Sequence, residues 1–121
     1  MSYVDGYVLP VPRRNLAAYR RMATDAGKVW RKFGALQYVE TAADDVKPGK
    51  WTSFPQSVRL KRGEVVVFSF IVYRSKGHRN QVNARVMKEM MTSGMPADMP
   101  FDVKRMAYGG FKSLVDAGRK R

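Results

Sequence analysis

The chain has 121 residues, 45% of them hydrophobic, and its 23 lysines and arginines against 10 aspartates and glutamates give a formal net charge of +13. That length supports one core, read as a single domain over residues 1–121, and no apolar run approaches the roughly 20 residues of a membrane helix. With no cysteine and one histidine, His78, disulfides, thiolate chemistry and a multi-histidine metal centre are excluded, so no cofactor, metal or membrane partner is expected. The N-terminal residues alternate around Asp5 and lack the charged start and apolar middle of a signal peptide, which points to the cytoplasm.

From Tyr3 to Leu9 the run YVDGYVL predicts a strand, with Val4, Gly6 and Val8 on one face and Tyr3, Asp5, Tyr7 and Leu9 on the other. After PVPRRN, apolar residues recur at spacings of three and four: Leu16, Tyr19, Met22, Ala23, Ala26, Val29, Trp30 and Phe33 mark a helix that Gly34 ends. Residues 35–42 alternate again as a second strand. The polar segment 44–63 is too long for a bare loop, so a short strand or helical turn is expected within it, with Trp51 and Phe54 packing on something. Glu64 to Tyr73 forms a third strand that is apolar on both faces. Ser75 is placed to cap a second helix whose stripe is Val82, Val86, Met87 and Met90. A last strand is predicted from about Arg105 to Val115, with Gly109 and Gly110 inside it, before a basic tail over residues 117–121.

The order strand, helix, strand, strand, helix, strand, with right-handed crossovers, builds an α+β ferredoxin-like sandwich: an antiparallel four-stranded sheet with both helices on one face. Two helices cover one face, yet the third strand is apolar on both. The second face therefore needs a cover, supplied in part by residues 44–63 or in full by a second copy of the chain, a homodimer with its sheets face to face.

Blocks along nearly the whole chain carry a family resemblance: YVDGYV, AYRRMATDAGKVW with FGALQYVE, ADDVKPGK, SFPQSV, EVVVFSFIVYRS, and MPFD with KRMAYGGF. Together they resemble the YbaA-like family of bacterial proteins of unknown function. The resemblance implies the dimeric alpha-beta barrel superfamily, and it implies no activity.

The predicted strand order sets the first strand beside the last, so Asp5, Tyr7, Tyr108 and Gly110 gather on one face with Tyr38, Glu40 and Ser69. We expect that face to be the one turned away from the helices, where a mixed aromatic and polar lining suits a small-molecule ligand. A carboxylate among aromatics can act as acid or base, and it can equally form an ion pair, here with Lys104 or Arg105. Gly109 is expected on the helix side, leaving room for Trp30, and Gly110 on the floor of the cavity. His78 falls in the first turn of the second helix as a hydrogen-bonding residue or, as the alternative, a catalyst. Met22, Met87, Met90, Met91, Met95 and Met99 read as core filling. Two further functions remain open: a cofactor-independent monooxygenase or isomerase acting on a small aromatic or carbonyl compound, and a basic module binding nucleic acid or another polyanion through its helices.

Overall fold

The computed structural model describes residues 2–94 and 98–118. Met95 and residues 119–121 of the expected basic tail lie outside the described residues. The elements run β1 (Tyr3–Pro12), α1 (Leu16–Lys32), β2 (Gln37–Ala42), α2 (Phe54–Ser57), β3 (Glu64–Tyr73), α3 (Lys76–Ser93) and β4 (Ala107–Lys112), with short 3-10 turns at Arg13–Asn15 and Val103–Arg105. The sheet is antiparallel in the order β2-β3-β1-β4, which is the ferredoxin-like α+β arrangement expected from the crossovers. No helix among the described residues is long and apolar enough to cross a membrane.

The chain ends its helices with local chemistry. Past α1, Gly34 adopts φ +112°, the N–H of Gly34 donates to Arg31 O, and that of Ala35 donates to Trp30 O. These are the two bonds of a Schellman motif. Because Ala35 spends its N–H there, β2 starts at Gln37 and not at Ala35. Ser75 caps α3, its Oγ accepting from the N–H of His78. β1 carries Pro10 and Pro12, yet it is a central strand. β4 pairs with it only from Tyr3 to Val8, so beyond that point the prolines leave no ladder bond unmade.

Both helices pack on the β1 and β3 face that holds Tyr3, Leu9, Val11, Val67, Ile71 and Tyr73. The register puts Asp5, Tyr7, Ser69, Tyr38, Glu40, Tyr108 and Gly110 on this same face. The expected orientation is therefore inverted: these residues lie beneath the helices. Strand alternation separates two sets of side chains without saying which set is covered. The helices cover the set that buries Leu9 and Val11. The opposite face, with Val4, Gly6, Val8, Phe68, Phe70 and Phe111, carries no helix of this packing layer. One end of it is covered by segment 44–63, where the single-turn α2 sets Phe54 edge-on to Phe68 at 6.1 Å. Val58, just past α2, is buried.

Arg105 is not part of the last strand. It closes the turn before β4, where Asp102 Oδ1 accepts from the Lys104 N–H. Its guanidinium grips Glu64 at the start of β3 through Nη1 to Oε1 (2.8 Å) and Nη2 to Oε2 (2.6 Å), and reaches Asp102 Oδ2 through Nε (3.0 Å). The Arg105 and Glu64 side chains are only 7% and 9% accessible. Arg105 thus serves the fold and pairs with neither Asp5 nor Glu40.

The hydrogen bonds from Arg105, more than its charge, hold the carboxyl groups of Glu64 and Asp102 below their ordinary values, and Arg105 is itself held protonated by both. Carboxyls with lowered folded values stabilise the fold above their unfolded values, 4.5 for Glu64 and 3.8 for Asp102, and that contribution is lost as pH falls further through the folded values. We expect Arg105→Met to cost on the order of 2–4 kcal/mol at pH 7, because Glu64 then loses its charged partner. In urea melts across pH, the difference from the native chain should shrink as pH drops below about 4.

Candidate functional site

One rung of the sheet is polar from edge to edge. The register aligns Tyr108 of β4, Tyr7 of β1, Ser69 of β3 and Glu40 of β2 in a single cross-strand row on the helix face. The neighbouring row toward the start of β1 is Gly110, Asp5, Ile71 and Tyr38, and the row on the other side contains Leu9, Val67 and Ala42. Hydrophilic groups across a covered sheet face are costly unless each finds a partner.

At the β2 end the partners are tyrosines. Glu40 Oε1 accepts from Tyr19 Oη of α1 at 2.8 Å, and Oε2 accepts from Tyr38 Oη at 2.9 Å. Burial first, and then the Glu40 charge, push both phenols well above the ordinary tyrosine value, so both remain protonated donors. Tyr38 can lie flat under α1 because position 27 is glycine: a Cβ there would stand 2.8 Å from its ring. Trp30 then tilts against Tyr38 at 5.8 Å.

Behind this row, Asp5 is buried in a second network. Asn83 of α3 donates Nδ2 to Asp5 Oδ2 (3.3 Å) and accepts at Oδ1 from Trp30 Nε1 (3.0 Å) and Tyr73 Oη (3.0 Å). Arg79 Nε lies 3.5 Å from Asp5 Oδ1, an ion pair too long for a hydrogen bond, and Nε has no hydrogen-bond partner among the described residues. The Arg79 Nη2 donates to Tyr3 Oη at 3.1 Å, with the guanidinium 5.0 Å over the Tyr3 ring. Trp30 therefore does not fill space beside Gly109. Gly110, not Gly109, is the glycine that packing requires.

Tyr7 sits between the two networks, stacked on the exposed Tyr108 at 6.1 Å. Burial, then the nearby Asp5, push its phenol up to about 12. Among the described residues neither Tyr7 Oη nor Ser69 Oγ has a hydrogen-bond partner, and both residues line a cavity of about 610 Å³ between α1, α3 and the sheet. The floor adds Tyr38 and Glu40. The roof is apolar and adaptable, with Val29, Met22, Met87, Met90, Met99 and Met106. So several of the methionines read as core filler border open space, while Met91 is exposed.

Of the predicted candidates, Tyr7, Tyr38 and Glu40 line this cavity, Asp5 lies behind it, and Tyr108 stacks outside it. His78 is elsewhere. Its Nδ1 accepts from the Arg74 N–H at 3.0 Å and its ring meets Tyr73 edge-on at 6.0 Å. Burial, then Arg74, lower its value and favour the neutral acceptor. Tyr19, Arg79 and Asn83 were missed as site residues. The available signal was Asn83, a polar residue one step from the buried Val82. Among the described residues no three His, Cys, Asp or Glu side chains cluster as a metal site.

The architecture and the polar cross-strand row define a ferredoxin-like α+β protein with a methionine-roofed cavity under its helices. The chain belongs to the family described as "Protein of unknown function (DUF1428)", whose model matches residues 2–103. It is 46% identical over 116 residues to "Uncharacterized protein YbaA" of Escherichia coli (strain K12), covering 96% of this chain and 99% of that protein, and equally similar to the protein of the same description in Shigella flexneri. Among solved structures, it is similar to a "De novo designed protein Foldit4" at TM-score 0.48 and 12% identity, covering 96% of this chain and 100% of that one.

The two adjacent glycines separate cleanly in mutagenesis. A Cβ at Gly110 would stand 2.5 Å from both Arg79 Nη2 and Tyr3 Oη, whereas at Gly109 it would meet only the Phe111 ring at 3.9 Å. Gly110→Ala is expected to destabilise by about 1–3 kcal/mol through overpacking. Gly109→Ala should stay within about 0.5 kcal/mol. Paired thermal melts check both.

Proposed function

We propose that this protein binds a small, uncharged molecule with an apolar or aromatic body and a carbonyl or hydroxyl head, in the cavity beneath the helices. The observation that carries the reading is the pair of unpartnered hydroxyls, Tyr7 and Ser69, on the floor of a cavity of about 610 Å³. These hydroxyls open onto the cavity without a partner among the described residues, and each can donate or accept. The Glu40 carboxylate beside them disfavours an anionic head, and the flexible methionine roof suits a body of loosely defined shape. Neither an oxygenase or isomerase reaction nor polyanion binding gains an observation from this geometry.

The same reading includes a homodimer formed through the helix-free face of the sheet. It is supported by the apolar side chains there, with Phe68 42% and Phe111 62% exposed, and by segment 44–63 reaching only one end of the face. A second copy would bury the remainder. It would also match the dimeric barrel implied by the family resemblance.

Prodan, a neutral naphthyl ketone with polarity-sensitive emission, tests the cavity. Saturable binding with blue-shifted emission is expected; Tyr7→Phe should weaken it about tenfold by removing one hydrogen-bonding hydroxyl. Ala26→Trp, which fills the cavity, should abolish it. Emission indifferent to both changes would sink the proposal. For the dimer, light scattering at micromolar concentration should give twice the 13.8 kDa chain mass, and Phe68→Lys should halve it.

A further inference from the structure

We infer a second ligand site, for an organic anion with an apolar body, in a groove of about 700 Å³ between α1 and the edge strand β2. The groove shares the Tyr19, Glu40 and Tyr38 wall with the methionine-roofed cavity and lies on its other side. Its charge is opposite in character.

Arg20, Lys28 and Arg31 all line the groove. Lys28 and Arg31 are neighbours at a spacing of three on α1, and Arg20 lies about two turns earlier on the same face, with Thr24 between it and Lys28. The only acid of α1, Asp25, lines the cavity on the far side instead. Among the described residues no carboxylate stands within ion-pair distance of Arg20 or Lys28, whereas Lys32 on another face does pair with Glu89 at 2.6 Å. Glu40 is the one carboxylate among the groove's lining residues; its two oxygens accept from the phenols, and the three cations outnumber it.

Arg20 and Lys28 are exposed, and Arg31 is anchored. Arg31 Nη1 is pinned by the carbonyl oxygens of Ala35 (2.6 Å) and Leu36 (2.9 Å), which fixes a guanidinium at one end of the groove. Below the cations the lining turns apolar, with Leu16, Ala23, Val67 and the Tyr38 ring. A carboxylate or sulfonate among the cations and an aromatic or aliphatic body against that lining would satisfy both halves. Such a ligand would add the counter-charge that Arg20 and Lys28 lack among the described residues.

The test uses the full chain and 1-anilinonaphthalene-8-sulfonate as fluorescent probe. The double variant Arg20→Gln, Lys28→Gln should weaken probe binding about tenfold. The control Arg13→Gln, Arg14→Gln removes the same charge outside the groove and should leave binding unchanged. 1-Naphthoate should displace the probe, and neutral 1-naphthamide should not. Equal weakening by the two double variants, displacement by the amide, or loss of binding in Ala26→Trp would each overturn the inference. Prodan binding should be indifferent to the Arg20 and Lys28 changes, so the groove and the cavity stand or fall separately.

Discussion

A single half-buried amide holds the two layers together. Asn83 joins α3 to β1 through Asp5, to α1 through Trp30 and to β3 through Tyr73, using both donor and acceptor in one side chain. Each of those contacts is worth only about 1 kcal/mol net, but leaving any partner buried and unpaired costs more than the bond gains. The network therefore fixes the spacing between helices and sheet more firmly than apolar contact alone. Asp5 and Glu40 tolerate burial because each has such partners.

That fixed spacing explains why open space survives under the helices. Trp30 and Tyr38 form an aromatic pillar near the end of α1, and Val82 and Val86 close the core where α3 crosses. Away from the pillar the roof is methionine, which fills volume poorly by shape but adapts to what enters. The hydroxyls of Tyr7 and Ser69 face the space that results. The buried phenols, pushed up by burial and by neighbouring carboxylates, remain donors through neutral pH. The phenols of the floor are thus hydrogen-bond donors through neutral pH.

The two faces of the sheet are kept for different work. The helix face carries the polar row, the cavity and the groove. The other face carries phenylalanines and the paired glycines Gly6 and Gly109, with the Phe111 ring lying 3.6 Å from where a Gly6 Cβ would be. Glycine there exposes backbone, and the ring covers it. The charge is divided too: Arg105 is spent on the fold, while Arg20 and Lys28 stand along the β2 edge in no ion pair among the described residues.

The sequence by itself determined the elements and their order. Period-2 and helical alternation, Gly34, Ser75 and the prolines are local signals, and right-handed crossovers turned them into the strand order β2-β3-β1-β4 with Asp5, Tyr7, Tyr38, Glu40 and Tyr108 on one face. Tertiary structure alone decided which face that is, since alternation is symmetric about the sheet plane and β3 is apolar on both sides. It also decided the partners. Arg105 meets Glu64, and Arg79 takes the space that Gly110 leaves, at sequence separations where no periodicity constrains contact. Residues 35–42 illustrate the boundary between the two levels: the alternation was legible, but Ala35 gave its N–H to the helix cap and left the strand to begin at Gln37.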